Sequence, residues 1–485
     1  MRRASTLLAA LLASTLLTSC QVAPGTGKSN FNIMSAEEEQ KMGAEAHPDV
    51  LKQYGGVYDD PKMQAYVAGI GKRLVGNTET PGAPFRFTVL NSNIVNAFAL
   101  PGGYVYVSRG LLALADDEAE LAGVVGHEIG HVTGRHTAQR YSQSIAANIA
   151  TGVLGAVVGA VTGVSGVGDI AQLGAAAYIQ GYSRENESEA DELGIRYMSV
   201  SGWNPDGMTT FLGKLRDQAR LEAVLAGRSP DEVDETSLFA SHPRTLDRVR
   251  DAANLAKGAD HKGAMGRDQY LAHVEGLLVG DDPDEGVVRG RVFSHAGLGI
   301  RYEVPAGFRL INGPKAVMAV HKDGSAIRFD MGAEAHGDMT NYLQTQWAKG
   351  TRLSSIEALE INGLAAATGL ARLNTNKGAM DARLLAVKNG KSTYRFLYLT
   401  PPNLTAAHAQ EFKTSGLSLR KLTEAEKTAM KPLRLKIITA KAGDTVEKLA
   451  EQMPYEEHKV ERFRVLNGLA ETETVKPGQK LKMVI

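Results

Sequence analysis

The run His127-Glu128-Ile129-Gly130-His131 sets two imidazoles four residues apart with a carboxylate beside the first. On a helix, positions i and i+4 share a face, so both rings can chelate one ion. Neutral imidazole suits Zn2+. Glu128 then sits next to the metal but outside its ligand set. From there a carboxylate can take the proton of a water as that water attacks a carbonyl. The chemistry implied is peptide hydrolysis. The plainer alternative is an amphipathic helix with a solvated polar face. Ala119, Leu121, Val124 and Val125 argue for a largely buried helix instead, where an unliganded polar cluster would be costly.

A catalytic zinc takes a third protein ligand and keeps one position open. Candidates lie in Ser183-Arg184-Glu185-Asn186-Glu187-Ser188-Glu189-Ala190-Asp191. Glu187 and Asp191 are again i and i+4. Glu187 would complete the zinc shell, and Asp191 would accept the free N–H of a ligand histidine and fix its tautomer. Glu185 and Glu189 are rival ligands by composition, and a charged, solvated helix face would look similar. His242, before Pro243, is a surface residue, an oxyanion donor, or an occupant of the fourth zinc position in a resting state. Arg248 is an oxyanion or carboxylate donor, or a partner in a surface ion pair. His136 lies five residues past His131, roughly 140° round the helix, which suits a structural hydrogen bond rather than the same ion. The other histidines (His47, His261, His273, His295, His321, His336, His408 and His458) lack ligand spacing and read as structural or exposed.

Elements must position these groups. Ser35-Ala36-Glu37-Glu38 is a capping-box pattern that opens a helix. A second helix is predicted over 61–74 and a strand over 85–90. Asn96, Ala97, Phe98 and Ala99 lead through Pro101-Gly102-Gly103 into Tyr104-Val105-Tyr106-Val107, a hairpin turning at the glycines. Helices are predicted over 118–135 and 184–200, and another begins at Asn204-Pro205. Between them, 141–168 is uncharged and rich in Gly and Ala. It reads as a buried or lid hairpin, a membrane-surface contact or a transmembrane span, the last disfavoured by few Leu or Phe and no aromatic belt. Turn residues at 281–286 mark a boundary, and beyond it the periodicity turns to strands, with a helix over 339–349. In the last fifty residues, Gly443-Asp444-Thr445 opens a helix, followed by Leu466-Asn467-Gly468-Leu469 and Pro477-Gly478-Gln479.

Together these motifs resemble the HtpX-like and CAAX-prenyl-protease-like family of gluzincin zinc metallopeptidases. Within it they look most like the soluble periplasmic branch of BepA-like lipoproteins. The resemblance runs over about 35–250 and includes the Asn96 segment, Arg135-His136, and Ser241-His242-Pro243 with Thr245 and Arg248. It implies that Glu187, four residues before Asp191, is the third metal ligand. It also implies that Asn96 to Ala99 form an edge strand that pairs with an extended substrate. The last fifty residues are similar to the LysM module, a βααβ fold that often binds glycan chains.

The N-terminus reads as an export signal. Arg2 and Arg3 precede an apolar run too short to span a bilayer. Leu17-Thr18-Ser19-Cys20 resembles a lipobox, with Cys20 the lipidated residue and the only cysteine. Gln21 at the next position favours the outer membrane. No thiol then remains for a disulfide. The 485 residues carry 54 basic and 54 acidic side chains, and this balance gives no field for nucleic acid.

The expected organisation is an α+β multidomain chain. Its parts are a signal peptide (1–19), a tether (20–34), a mainly helical peptidase domain with a small sheet (35–265), an α+β domain (266–425) and a βααβ LysM-like module (433–485). The expected function is a periplasmic, lipid-anchored zinc endopeptidase with one zinc per subunit, at the inner leaflet of the outer membrane. Its substrates would be proteins or peptides, above all misfolded or misassembled envelope proteins. The alternative is a peptidoglycan-binding, chaperone-like lipoprotein with gated activity.

Overall fold

The computed structural model describes residues 20–32, 34–140, 142, 182–231, 246–259, 261–375 and 378–485. The signal segment, most of the Gly-rich stretch 141–168 and the 241–245 motif with His242 lie outside them. The chain forms two compact units. Unit 1 holds 1–51, 56–277 and 435–485, and unit 2 holds 52–55 and 278–434.

Unit 1 opens with a short antiparallel pair, Cys20–Val22 with Ser29–Phe31. The expected free tether is therefore structured. Gly25 N–H donates to the Thr133 carbonyl at 3.0 Å, and Arg196 donates to the Gly25 carbonyl at 3.0 Å. Helix α1 (Ala36–Gln53) starts at the reciprocal Ser35–Glu38 capping bonds. Helix α2 (Pro61–Val75) has Asp60 as its N-cap and Pro at its first position.

Strands β1 (Arg86–Leu90), β2 (Ala97–Leu100) and β3 (Tyr104–Ser108) form one sheet in the order β1-β3-β2. β3 is parallel to β1 and antiparallel to β2. Gly102 and Gly103 make the β2–β3 turn at φ 77° and 84°, a region open to glycine. Ser108 ends β3 and caps α3 (Arg109–Leu114). A short buried link then leads to α4 (Glu118–Thr133), capped by Asp117. Helices α5 (Arg184–Val200), α6 (Asp206–Leu225) and α7 (Leu246–Lys257) complete the frame.

Helix α8 (Arg267–Val274) also belongs to unit 1, so this unit runs past the expected boundary at 265. Tyr270 explains why: it is buried and its hydroxyl donates to the Leu112 carbonyl at 2.6 Å. Among the described residues, no helix is long and apolar enough to cross a membrane.

Unit 2 is dominated by antiparallel strands. They are β4 (Arg309–Asn312), β5 (Val317–Val320), β6 (Ala326–Gly332), β7 (Ser354–Ile361), β8 (Leu364–Thr375), β9 (Gly378–Asn389) and β10 (Ser392–Thr400), in the order β4-β5-β6-β10-β9-β8-β7. Helix α9 (Thr405–Leu417) follows. Phe329, Phe396, Tyr398 and Phe412 are buried in one core with residues of a smaller sheet, among them Phe293 and Tyr302. The helix expected over 339–349 is a short α turn that widens into a π-helix at Tyr342–Trp347.

The C-terminal residues have the expected order: β11 (Leu433–Thr439), α10 (Val446–Ala450), α11 (Lys459–Leu466) and β12 (Lys480–Val484), with β11 and β12 antiparallel. From residue 435 on, however, they are part of unit 1 rather than a separate body. Lys482 is fully buried, and its ammonium donates to the carbonyls of Ala113, Leu114 and Ala115 at 2.9, 2.7 and 2.7 Å. A cation at the exposed carbonyls of a helix C-terminus is favourable, so β12 locks onto the end of α3.

Candidate active site

The site depends on how closely α4 and α5 approach. A Cβ on Gly126 would meet the Gly194 carbonyl at 3.1 Å, one on Gly130 the Ala190 carbonyl at 3.0 Å, and one on Gly194 the His127 nitrogen at 2.8 Å. These three glycines let the two backbones touch. That contact brings Glu187 and Asp191 on α5 over His127 and His131 on α4.

The imidazoles point their Nε2 atoms at a common spot, 3.0 Å apart. Glu187 carboxylate oxygens lie 3.5 Å from His131 Nε2 and 3.7 Å from His127 Nε2. Zinc–ligand bonds of about 2.0–2.2 Å separate tetrahedral donors by roughly 3.3 Å. The three side chains are buried, and their ligand atoms form a group that could hold one ion. Glu185 carries none of this geometry, and Glu189 instead pairs with Lys28 at 3.1 Å.

Each imidazole is held by its other nitrogen. His127 Nδ1 lies 2.8 Å from Asp191 Oδ1. His131 Nδ1 lies 2.9 Å from His136 Nδ1, so His136 makes a hydrogen bond to the neighbouring ring. Burial is the main cause that pushes His136 down to about 4, with Glu189 opposing. It is thus neutral near pH 7, and the two Nδ1 atoms share one proton between them. Tyr182 stacks on His131 with centroids 3.9 Å apart, and its hydroxyl lies 2.6 Å from the Thr137 hydroxyl.

Arg248 on α7 is buried among carboxylates. It donates to both oxygens of Asp191, at 3.0 and 2.7 Å, and approaches Glu187 at 2.6 Å. Burial would raise the Asp191 carboxyl. Arg248 and then His127 overcome that and hold it below its ordinary value. Glu128 is buried and lines a small cavity together with His127, Arg248 and Ala97 of β2. Among the described residues β2 pairs only with β3, so its outer side is a sheet edge. Asn96 precedes the strand, Phe98 stacks on Tyr106 and Ala99 is buried.

Sequence reasoning therefore listed most of the groups that converge here: His127, Glu128, His131, Glu187, Asp191, Arg248 and the β2 segment. It missed Tyr182 and the three glycines, although Gly126 and Gly130 are small residues at the four-residue spacing that lets helices approach closely. His242 lies outside the described residues. Nothing is described of the Cys20 side chain.

Residues 61–256 match the sequence pattern of Peptidase family M48. The chain is 33% identical over 261 residues to the Beta-barrel assembly-enhancing protease of Escherichia coli K12, a match covering 52% of this chain and 51% of that one. It is 30% identical over 262 residues to Metalloprotease YcaL of the same organism, covering 52% of this chain and 96% of YcaL. Mitochondrial metalloendopeptidase OMA1 of Schizosaccharomyces pombe is 27% identical over 236 residues, 48% of this chain and 65% of OMA1. The chain thus spans about half the length of the assembly-enhancing proteases it matches.

Proposed function

The chain belongs to peptidase family M48, a metallopeptidase family, and we propose that it is a zinc endopeptidase of the bacterial cell envelope. The observation that carries the proposal is the convergence of His127, His131 and Glu187 beside Glu128, in a cavity that Ala97 of an edge strand also lines. The donor set fits a divalent ion. Three buried carboxylates, Glu128, Glu187 and Asp191, face one guanidinium, Arg248, and leave a formal charge of −2 with the histidines neutral.

Bound zinc would polarise the scissile carbonyl and acidify the attacking water. In this reading His127, His131 and Glu187 hold the ion, and Asp191 and His136 fix the two imidazole tautomers. Arg248 positions Asp191 and Glu187. Glu128 takes the proton of the attacking water and returns it to the leaving amine. Asn96 to Ala99 hold an extended substrate by strand addition, which needs a locally unfolded segment.

Misassembled envelope proteins, including β-barrels, present such segments. The name of the assembly-enhancing relatives supports this substrate class. Lipidation at Cys20, a periplasmic site at the outer membrane and a grip on peptidoglycan through the βααβ tail are further parts of the proposal. Because Lys482 of the tail is buried against α3, peptidoglycan binding is tested by pull-down with the full chain. The central test is Glu128→Gln with casein as substrate. The variant is expected to keep its zinc and lose cleavage; retained cleavage would overturn the general-base assignment.

A further inference from the structure

A second group of side chains in unit 2 meets the same geometric requirement as the M48 site. The β5–β6 turn carries His321 and Asp323, and the first turn of α9 carries His408. Each of the three offers one ligand atom, and these atoms lie within 4.8 Å of one another. His321 Nδ1 lies 2.8 Å from one oxygen of Asp323, and His408 Nε2 lies 2.8 Å from the other. His321 and Asp323 are part-exposed, with side chains 17% and 22% accessible, and His408 is buried behind them, so an ion could enter from the turn side.

The hydrogen bonds of His408 constrain where its protons sit. His408 Nδ1 lies 2.9 Å from a Glu411 oxygen. A carboxylate only accepts, so Nδ1 must be the protonated nitrogen and donate to Glu411. A neutral His408 then turns the Nε2 lone pair towards Asp323, where two acceptors would face each other at hydrogen-bond distance. Something positive has to lie between them. It is either a second proton on His408 or a cation.

A divalent ion would satisfy His408 Nε2, His321 Nδ1 and Asp323 together. It would also make Glu411 the carboxylate that orients a metal-ligating histidine, a recurrent arrangement at such sites. The surroundings fix the donors. Asp323 accepts the Ser325 N–H at 2.8 Å. Phe308 stacks on His321 with centroids 5.0 Å apart, and Phe412 on His408 at 5.3 Å. Two imidazoles and a carboxylate suit zinc and its first-row neighbours.

We propose that His321, Asp323 and His408 form a second transition-metal site, which ties the β5–β6 turn to α9 and leaves its fourth position to water. The test is metal content of the full chain after chelator stripping, reloading with zinc chloride and desalting. Two zinc ions per chain are expected, falling to one in the pair His321→Asn/His408→Gln and, separately, to one in Glu187→Ala. If the pair fails to fold, Asp323→Asn is expected to lose the same ion.

Two zinc ions in both the wild type and the pair would overturn the proposal. So would one zinc in the wild type that the pair retains, which would mean that a proton bridges His408 and Asp323. One zinc in the wild type that the pair loses and Glu187→Ala keeps would support this site and count against the M48 one, so the two readings fail separately.

Discussion

Unit 1 buries two sets of charged side chains, one at the end of α3 and one between α4 and α5. At the first, Asp116 receives Lys214 at 2.8 Å and Lys482 at 3.0 Å, with Arg267 at 3.5 Å. Its N–H donates to Glu120, and Asp117 caps the next helix. Three acids meet three bases, and the formal charge is zero. At the second, Glu128, Glu187 and Asp191 surround Arg248. Buried charge is tolerated when it is paired or bound to metal. The neutral set is complete in itself and holds structure. The second set, formally −2 with its histidines neutral, suits a divalent partner, and Glu128, His127, Asp191 and Arg248 line a small cavity.

The sharpest way to break this contrast is Glu187→Ala. It is expected to remove zinc, measured by elemental analysis, and with it all detectable casein cleavage. Full zinc occupancy would place the third ligand elsewhere. Lys482→Met strikes the neutral set. It leaves Asp116 short of a partner and takes a donor from three carbonyls, of which Leu114 keeps Lys214, and should cost about 3–5 kcal/mol in urea unfolding. A loss under about 1 kcal/mol would mean that β12 merely rests on the surface.

Asp191→Asn tests whether the second set also orients its own ligands. It keeps the shape but weakens the hold on His127 and Arg248, so zinc affinity should fall about 10–100-fold in competition with a chelator. The mildest test uses acid. Burial would raise the Asp116 carboxyl, but Lys214 first and Lys482 next hold it well below the ordinary range. A depressed native pKa stabilises the fold above the unfolded value and loses that effect as pH falls below about 4. Melting temperatures should therefore drop with acid more steeply in wild type than in Asp116→Asn.

The two sets were unequally legible in the sequence. Helical spacing alone aligned His127 with His131 and Glu187 with Asp191, because i and i+4 are local relations. It could not choose Glu187 over Glu185 and Glu189, which depends on how α5 meets α4. The signal for that meeting was present as Gly126, Gly130 and Gly194, yet glycines in a helix read first as weak points. Lys482 was not legible. In Lys480-Leu481-Lys482-Met483 a lysine reads as the solvent side of a strand, and its partners lie 367 to 369 residues earlier. His321, Asp323 and His408 were likewise scattered, since a turn and a distant helix bring them together. In unit 2 the strand periodicity was clear, but the long β8–β9 pairing that dominates its sheet depends on register, which alternation alone does not set.

The burial of Lys482 also fixes an order of events during synthesis. Residues 278–434 are all made before β12 exists, so the Lys482 contacts to the end of α3 form only after unit 2 has been synthesised. Domains usually fold as they appear, but this one cannot finish early. A nascent chain, or one cut short before residue 482, carries His127, Glu128, His131 and Glu187 without the lysine that pins the end of α3. The end of α3 is thereby pinned only once residue 482 has been made.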